Sequence, residues 1–491
     1  MKRFAAALAL ALAAGCAGPG AFFHDAGEAP TVPARSLEEL SWRELWTGVV
    51  FQGRKVGFAR MVVRPSPDSG LWEIETESAL RFRLLGTDKR VNLRALDVVR
   101  GDLALERFRY DYRMDGSDLR VEGEREGEAL VVRATGGAAP VAQRLAMPSP
   151  AIPASALALT PVVRGLRVGA TAHTVVFVGE AQELAAAEQG ILAYERSSLF
   201  EGAAFRVSTT LLGLETETWM DAEGRPLLER ALHGALISAL EEPAAARAYL
   251  VEASLSKDEA LIDYSLMPSA PVTEARRAAA LHVELEGVPE TLDIPDAAGQ
   301  RCAREGARLV CRIDRREAQA ASVSPDLQRY LRPTLAVPSN ERQFVELAES
   351  IVGPAPSTDA RIARLLAWID AHIAKEAVDA FSAADVLRTR RAECQGHAYL
   401  FAALARALEL PTRVVNGVVY SPEHGGFLYH TWNEVWTGDA GWRAVDATFG
   451  QPVADATHVA LAIGENAAAL APLAAMVGRA RVAALGDVAH W

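Results

Sequence analysis

From about Glu38 to Ala134, hydrophobic and polar residues alternate with a period of two. Phe108, Tyr110 and Tyr112 interleave with Arg107, Arg109, Asp111 and Arg113, and Leu71-Trp72-Glu73-Ile74-Glu75-Thr76 repeats the pattern. Side chains in a strand point alternately to opposite faces, so this pattern predicts a half-buried antiparallel sheet. Met114-Asp115-Gly116-Ser117 supplies a hairpin turn. A Pro/Ala-rich break follows from about Pro140 to Pro161. A second β-rich region then runs to about Ser256, with Thr218-Trp219-Met220 turning through Asp221–Arg225 into Leu227-Leu228-Glu229. Pro268 to Pro271 marks a further boundary, after which Leu281–Leu285 and the segment around Cys302 and Cys311 predict a small β subdomain. Helical spacing takes over near Ser339-Asn340, first over Glu341 to Val352. A second helix follows Ser357 and carries Ile362, Leu365, Leu366, Ile369 and Ile373 on one face.

The most informative stretch comes next. Cys394-Gln395-Gly396-His397 opens a run of helix formers with Leu400, Phe401, Leu404 and Leu408, ended by Pro411. A cysteine in the first turn of a helix feels the positive end of the macrodipole, which lowers a free thiol pKa from about 8.5. Arg413–Tyr420 predicts a strand. Phe427–Trp436 predicts another, with Leu428, His430, Trp432, Glu434 and Trp436 on one face. After a turn, Trp442, Ala444, Asp446 and Thr448 share a face of a third. Two such strands, paired, set His430 beside Asp446, and a helix packed across them brings Cys394 to the imidazole. That is the arrangement a cysteine nucleophile needs: a base for the thiol and a carboxylate to orient the base.

The residues themselves resemble a known family. Arg391-Ala392-Glu393-Cys394-Gln395-Gly396-His397-Ala398 with Leu400–Leu408 and Leu410-Pro411-Thr412-Arg413 is similar to the nucleophile segment of bacterial transglutaminase-like proteins. Phe427–Val435 resembles their histidine strand and Gly441–Thr448 their aspartate strand. Ala392 and Ala447 stand where that family usually has glycine and proline. The resemblance covers roughly Asn340 to Leu461. It implies an α+β, papain-like C-terminal domain with Cys394, His430 and Asp446 as triad, preceded by antiparallel β-rich domains. It also implies acyl chemistry on carboxamides through a thioacyl intermediate, ending in hydrolysis or transfer to an amine. Gln395, His397, Trp432 and Trp442 are expected to support or wall the site, with His397 and the tryptophans open to a plain packing role. The oxyanion is expected at the Cys394 backbone N–H. No calcium-loop motif is visible, and neither a metal nor another cofactor is expected.

Composition and the N-terminus set the context. Half of the 491 residues are hydrophobic and the formal net charge is −12. An anionic chain without basic runs argues against nucleic-acid binding. Met1-Lys2-Arg3, the apolar stretch Phe4–Ala14 and Leu12-Ala13-Ala14-Gly15-Cys16 resemble a bacterial lipoprotein leader with Cys16 as the lipidated residue, the alternative being an ordinary cleaved signal peptide. Export follows in either case, with a peptide or protein substrate and, through Cys16, a membrane as partners. Of the four cysteines, Cys302 and Cys311 can close a hairpin as a disulfide or stand unpaired on neighbouring strands, and Cys394 is left without a structural partner. The expected division is a leader over 1–16, a tether over 17–37, β-rich domains over 38–140 and 160–267, a subdomain over 274–335, the transglutaminase-like region over 339–465 and a tail over 466–491. The alternative to catalysis is a non-catalytic binding or scaffolding lipoprotein that retains the fold. The sequence does not set the oligomeric state.

Overall fold

The computed structural model describes residues 22–486, apart from positions 52–53, 85–86, 137–139, 235, 247–265, 291, 317–325, 356, 377, 379, 439–440, 466–472, 474–475 and 477–478. The leader, with Cys16 as its expected lipid site, lies outside the described residues.

The alternating region forms strands throughout. Phe108 and Tyr110 are buried while Arg107 and Arg109 are exposed. Asp115 (φ 49°) and Gly116 (φ 91°) make the two-residue turn between Leu105–Met114 and Ser117–Glu126. Both central residues of such a turn need positive φ, which Asp tolerates and Gly adopts freely.

The two β-rich stretches, expected as separate domains, share one sheet. Leu236–Leu240 pairs antiparallel with Glu44–Phe51, so fifteen strands follow a single path, with Phe23–Asp25 added beside Glu183–Ser197. The sheet folds over itself, and Phe177 on Thr171–Val178 meets Phe108 at a ring distance of 4.5 Å. The Pro/Ala-rich break is part of this core, because Ala156, Leu159 and Val162 are apolar and pack with Ile74, Val99, Val121 and Val132. A buried carboxylate sits here: Tyr110 Oη and Ser155 Oγ donate to Asp97 at 2.5 and 2.6 Å. Burial lifts the Asp97 pKa to about 6, against the opposing pull of those two bonds.

The small subdomain is a four-stranded sheet in the order Gln300–Glu305, Arg308–Asp314, Ala280–Glu286, Arg481–Gly486. Its outer strand comes from the segment expected to be a tail. Cys302 and Cys311 face each other across the hairpin and are disulfide-bonded.

In the last region, helices Arg342–Val352, Thr358–His372 and Ala383–Thr389 surround the helix Cys394–Ala407. Every residue of that helix from Gly396 to Arg406 is buried, so its apolar surface is continuous and not a single stripe. It lies across a sheet in which Gly426–Trp436 pairs with Thr412–Ser421, Trp442–Val445 and Met267–Pro268, while Val459–Ile463 adds to Thr412–Ser421. Arg388 Nη2 donates to the Gly116 carbonyl at 3.2 Å, and Phe381 packs on the large β core, tying this region to the first sheet. Among the described residues no helix is long and apolar enough to cross a membrane.

Candidate active site

Cys394 is the first residue of its helix. The N-cap is Glu393, whose Oε1 accepts from the Gln395 N–H at 3.2 Å. Gly396 lets the helix start close against its neighbours, since a Cβ there would stand 2.8 Å from Ala392 Cβ. Asn433 Nδ2 on the central strand donates to the Ala398 carbonyl at 3.1 Å and holds helix to sheet. Ala392 and Ala447, the two departures from the family pattern, are both buried in the core between them.

Among the described residues Cys394 is the free cysteine, and it is half-buried. Its Sγ donates to Glu393 Oε2 at 3.4 Å. The thiol pKa is pushed well above its ordinary value, first by burial and then by the Glu393 carboxylate. The Thr431 backbone N–H, directed at the sulfur, only partly offsets this. The expectation from the helix dipole is therefore reversed. Desolvation, with a full negative charge one residue away added to it, outweighs a fractional positive end charge. The resting thiol is protonated and depends on a base.

His430 and Asp446 meet at the edge of the paired strands. Asn433 aligns with Val445, and Asp446 follows directly after the strand Trp442–Val445. His430 Nε2 lies 2.7 Å from Asp446 Oδ2. Nδ1 is thus the ring nitrogen left to take a proton. Burial lowers the His430 pKa, Asp446 opposes that, and nearby His458 and Arg276 add to the lowering. His430 is neutral near pH 7, as a base for a protonated thiol must be. For Asp446, burial opposes ionisation, but His430 and His458 together hold its pKa far below the usual carboxylate range.

The sequence reading missed His458. Its Nε2 lies 2.9 Å from Asp446 Oδ2, the same oxygen that His430 engages. Its Nδ1 lies 3.2 Å from Asp455 Oδ1. Asp446 Oδ1 accepts from the Thr448 and Phe449 N–H groups at 2.6 and 3.0 Å, so both oxygens of a fully buried carboxylate are occupied. Arg276 was missed as well. It donates to Asp455 at 3.1 Å and lies 3.9 Å from the Phe449 ring centroid, and Phe449 in turn stacks on His430 at 5.0 Å. No local pattern signals His458: its ring reaches Asp446 only through the fold, after the chain turns back where Asp446 and Gln451 pair backbone to backbone.

The other expected residues separate into two groups. Trp432 walls the site, its ring 6.2 Å from His430 and 5.1 Å from His458. Trp442 does not belong to that wall: it packs on Trp436 and Tyr330 with the Arg413 guanidinium 4.3 Å above it. Gln395 bonds the Tyr399 hydroxyl, which reaches the Glu465 carbonyl at 3.2 Å, so it braces the helix. His397 is buried, with Nδ1 2.9 Å from the Glu393 carbonyl, and steadies the first turn from inside.

His430, Asp446 and His458 offer three ring-nitrogen or carboxylate atoms within 4.8 Å of one another, a spacing a cation could bridge. A shared N–H···O⁻···H–N arrangement accounts for the same distances, and an ion would have to displace both protons. The donor set fits a hydrogen-bonded relay better than a metal site.

A family model of the transglutaminase-like superfamily matches residues 345–447. Kyphoscoliosis peptidase of Mus musculus is 32% identical over 127 residues, which is 23% of this chain; the chain spans only 19% of that relative's length. A crystal structure of a candidate cysteine protease from Cytophaga hutchinsonii aligns over 43% of this chain and 84% of its own, at 20% identity and a TM-score of 0.28. A β-barrel-like protein of the domain of unknown function DUF1849 from Brucella abortus aligns over 43% of this chain and 98% of its own, at 10% identity and a TM-score of 0.31. Residues 345–447, which carry Cys394, His430 and Asp446, form a transglutaminase-like domain.

Proposed function

We propose that the chain is a cysteine-nucleophile enzyme acting on carboxamide bonds of peptide or envelope substrates. One observation carries this reading: a free thiol at the start of a buried helix is met by the Thr431 backbone N–H, and the preceding residue of that strand, His430, has its Nε2 held by a buried carboxylate. The S–H proton passes to His430 Nδ1 as sulfur attacks the carbonyl carbon. The imidazolium then protonates the departing nitrogen as the C–N bond breaks, leaving a thioester. Water or an amine attacks that thioester and restores the thiol. The Cys394 backbone N–H, at the open end of the helix, is a donor for the oxyanion. Hydrolysis, as a peptidase or amidase, is favoured over transamidation. Export and anchoring through Cys16 belong to the same proposal. The leader sequence supports them, and so does the Cys302–Cys311 disulfide, which persists in an oxidising compartment.

A second reading, a binding or scaffolding protein with a dormant site, is favoured by the Glu393 carboxylate that stabilises the protonated thiol. Incubating wild type and Cys394→Ala with peptide and envelope extracts, read by mass spectrometry, separates the two. Cleavage, deamidation or cross-linking products that depend on Cys394 support the enzyme. Identical spectra from both proteins would sink it.

A further inference from the structure

His458 lies beyond the span of the family match, yet its ring is as deeply buried as Asp446 and touches the same carboxylate oxygen. Both of its nitrogens face acceptors. Nε2 is 2.9 Å from Asp446 Oδ2. Nδ1 is 3.2 Å from Asp455 Oδ1 and 3.1 Å from the Asp455 carbonyl. A neutral imidazole carries one N–H, so one lone pair would be pressed against a buried oxygen. Two N–H donors satisfy every contact.

The surroundings suit a cation. The titratable and charged groups facing His458 and its two carboxylates are Asp446, Asp455, His430, His397, Cys394, Arg276 and Arg315. Arg276 Nη1 donates to Asp455 Oδ2 at 3.1 Å, and Arg315 Nη2 donates to the His458 carbonyl at 2.9 Å. Thr457 N–H and Gln451 Nε2 also donate to Asp455, both at 2.9 Å, so that carboxylate is held as an anion from several sides. Burial disfavours charge on His458, but the bonds to Asp446 and Asp455 outweigh it and raise its pKa.

We propose that His458 is a permanent imidazolium and a positioning residue: it fixes the Asp446 carboxylate from behind and, by sharing its charge, keeps His430 a neutral base. The inference rests on the reading of His430 as base for Cys394. Asp446 alone would stabilise imidazolium at His430 strongly. With a second cation on the same oxygen and a ring distance of 5.5 Å between the histidines, that stabilisation is largely cancelled. His430 then accepts the thiol proton during attack and does not hold one at rest.

Two measurements on the full-length protein test this. In ¹⁵N-histidine NMR of the wild type, His458 is expected to show both nitrogens protonated from pH 5 to 9. A neutral single tautomer at pH 7 would overturn the proposal, whether or not the protein turns over any substrate. The second measurement is the pH profile of Cys394 alkylation by iodoacetamide in wild type, His458→Gln and Asp455→Asn. Loss of the charge should move the acid limb of the profile upward by about one to two pH units in His458→Gln, the shift expected when a unit charge at this distance is removed. A smaller move in the same direction is expected in Asp455→Asn. An unmoved limb in folded His458→Gln would overturn the role. Failure of the enzyme reading has a different signature: no alkylation at Cys394 in any protein, with the NMR result unaffected.

Discussion

Replacing Asp446 by Asn changes one atom and tests the whole relay. The carboxylate is fully buried and accepts four hydrogen bonds: from His430 and His458 at 2.7 and 2.9 Å, and from the Thr448 and Phe449 N–H groups at 2.6 and 3.0 Å. Asn offers one oxygen and one NH₂. If the oxygen stays with the two backbone donors, the NH₂ faces both imidazoles and each must present a lone pair. On His430 that places the proton on Nδ1, the nitrogen that has to accept the thiol proton. If the amide is turned over, two buried N–H groups lose their acceptor, at about 1–3 kcal/mol each. In either case His458 loses a counter-charge, and removing one partner of a buried ion pair costs about 3–5 kcal/mol. The folded variant should therefore melt earlier and lose about 10²–10⁴-fold in the rate of Cys394 alkylation at pH 7, the range that general-base assistance supplies. The assay is pseudo-first-order labelling by iodoacetamide from pH 5 to 10, with circular dichroism to confirm the fold. A folded Asp446→Asn protein that labels within threefold of wild type at pH 7 would refute the reasoning.

Further outcomes follow from the same contacts. Glu393→Gln keeps an acceptor for the Gln395 N–H but removes the charge that adds to burial in raising the thiol pKa, so Cys394 should alkylate roughly three- to tenfold faster at pH 7; an unchanged or slower rate would mean the carboxylate does not contribute to holding the thiol protonated. Gly417, opposite His430 in the register, has no room for a methyl group: a Cβ would stand 2.0 Å from the Val459 carbonyl oxygen and 3.0 Å from the Trp432 ring. Gly417→Ala should cost about 1–3 kcal/mol or more in denaturant unfolding, and a wild-type midpoint would contradict the packing described. Asp97, lifted from 3.8 to about 6 in the fold, binds its proton more tightly when folded. Its contribution is fully present below about pH 4 and is lost as pH rises through 6, an effect of about 3 kcal/mol. Asp97→Asn should flatten the stability profile between pH 4 and 6, and an unchanged slope there would remove Asp97 as its source.

Much of this site was legible in the chain because its signals are local. A cysteine at a helix start, a histidine on an alternating strand and an aspartate ending the next strand are each set by spacing within one element. The pairing of those strands follows from a short turn. Part of the thiol's raised pKa was also within reach, because Glu393 directly precedes Cys394 and its charge opposes the helix dipole; burial, the larger cause, is set only by the fold. His458 was not legible, because the chain folds back through Gln451 and Asp455 to deliver it to the Asp446 carboxylate, and no periodicity announces that return. Arg276 reaches Asp455 from a separate part of the chain. The single large sheet escaped for a similar reason. Leu236–Leu240 meets Glu44–Phe51 by long-range edge pairing, and the Pro/Ala composition of the intervening break concealed Ala156, Leu159 and Val162 as core residues. The strand Arg481–Gly486 likewise depends on a distant partner, Ala280–Glu286.

The central claim, that His430 activates Cys394 as a nucleophile, is tested most directly by labelling the folded protein at pH 7 with an electrophilic carboxamide analogue and mapping the adduct. The account predicts a single adduct on Cys394 and at least a 100-fold slower reaction in His430→Ala. Equal rates in the two proteins, or an adduct on Cys394 only after denaturation, would contradict it.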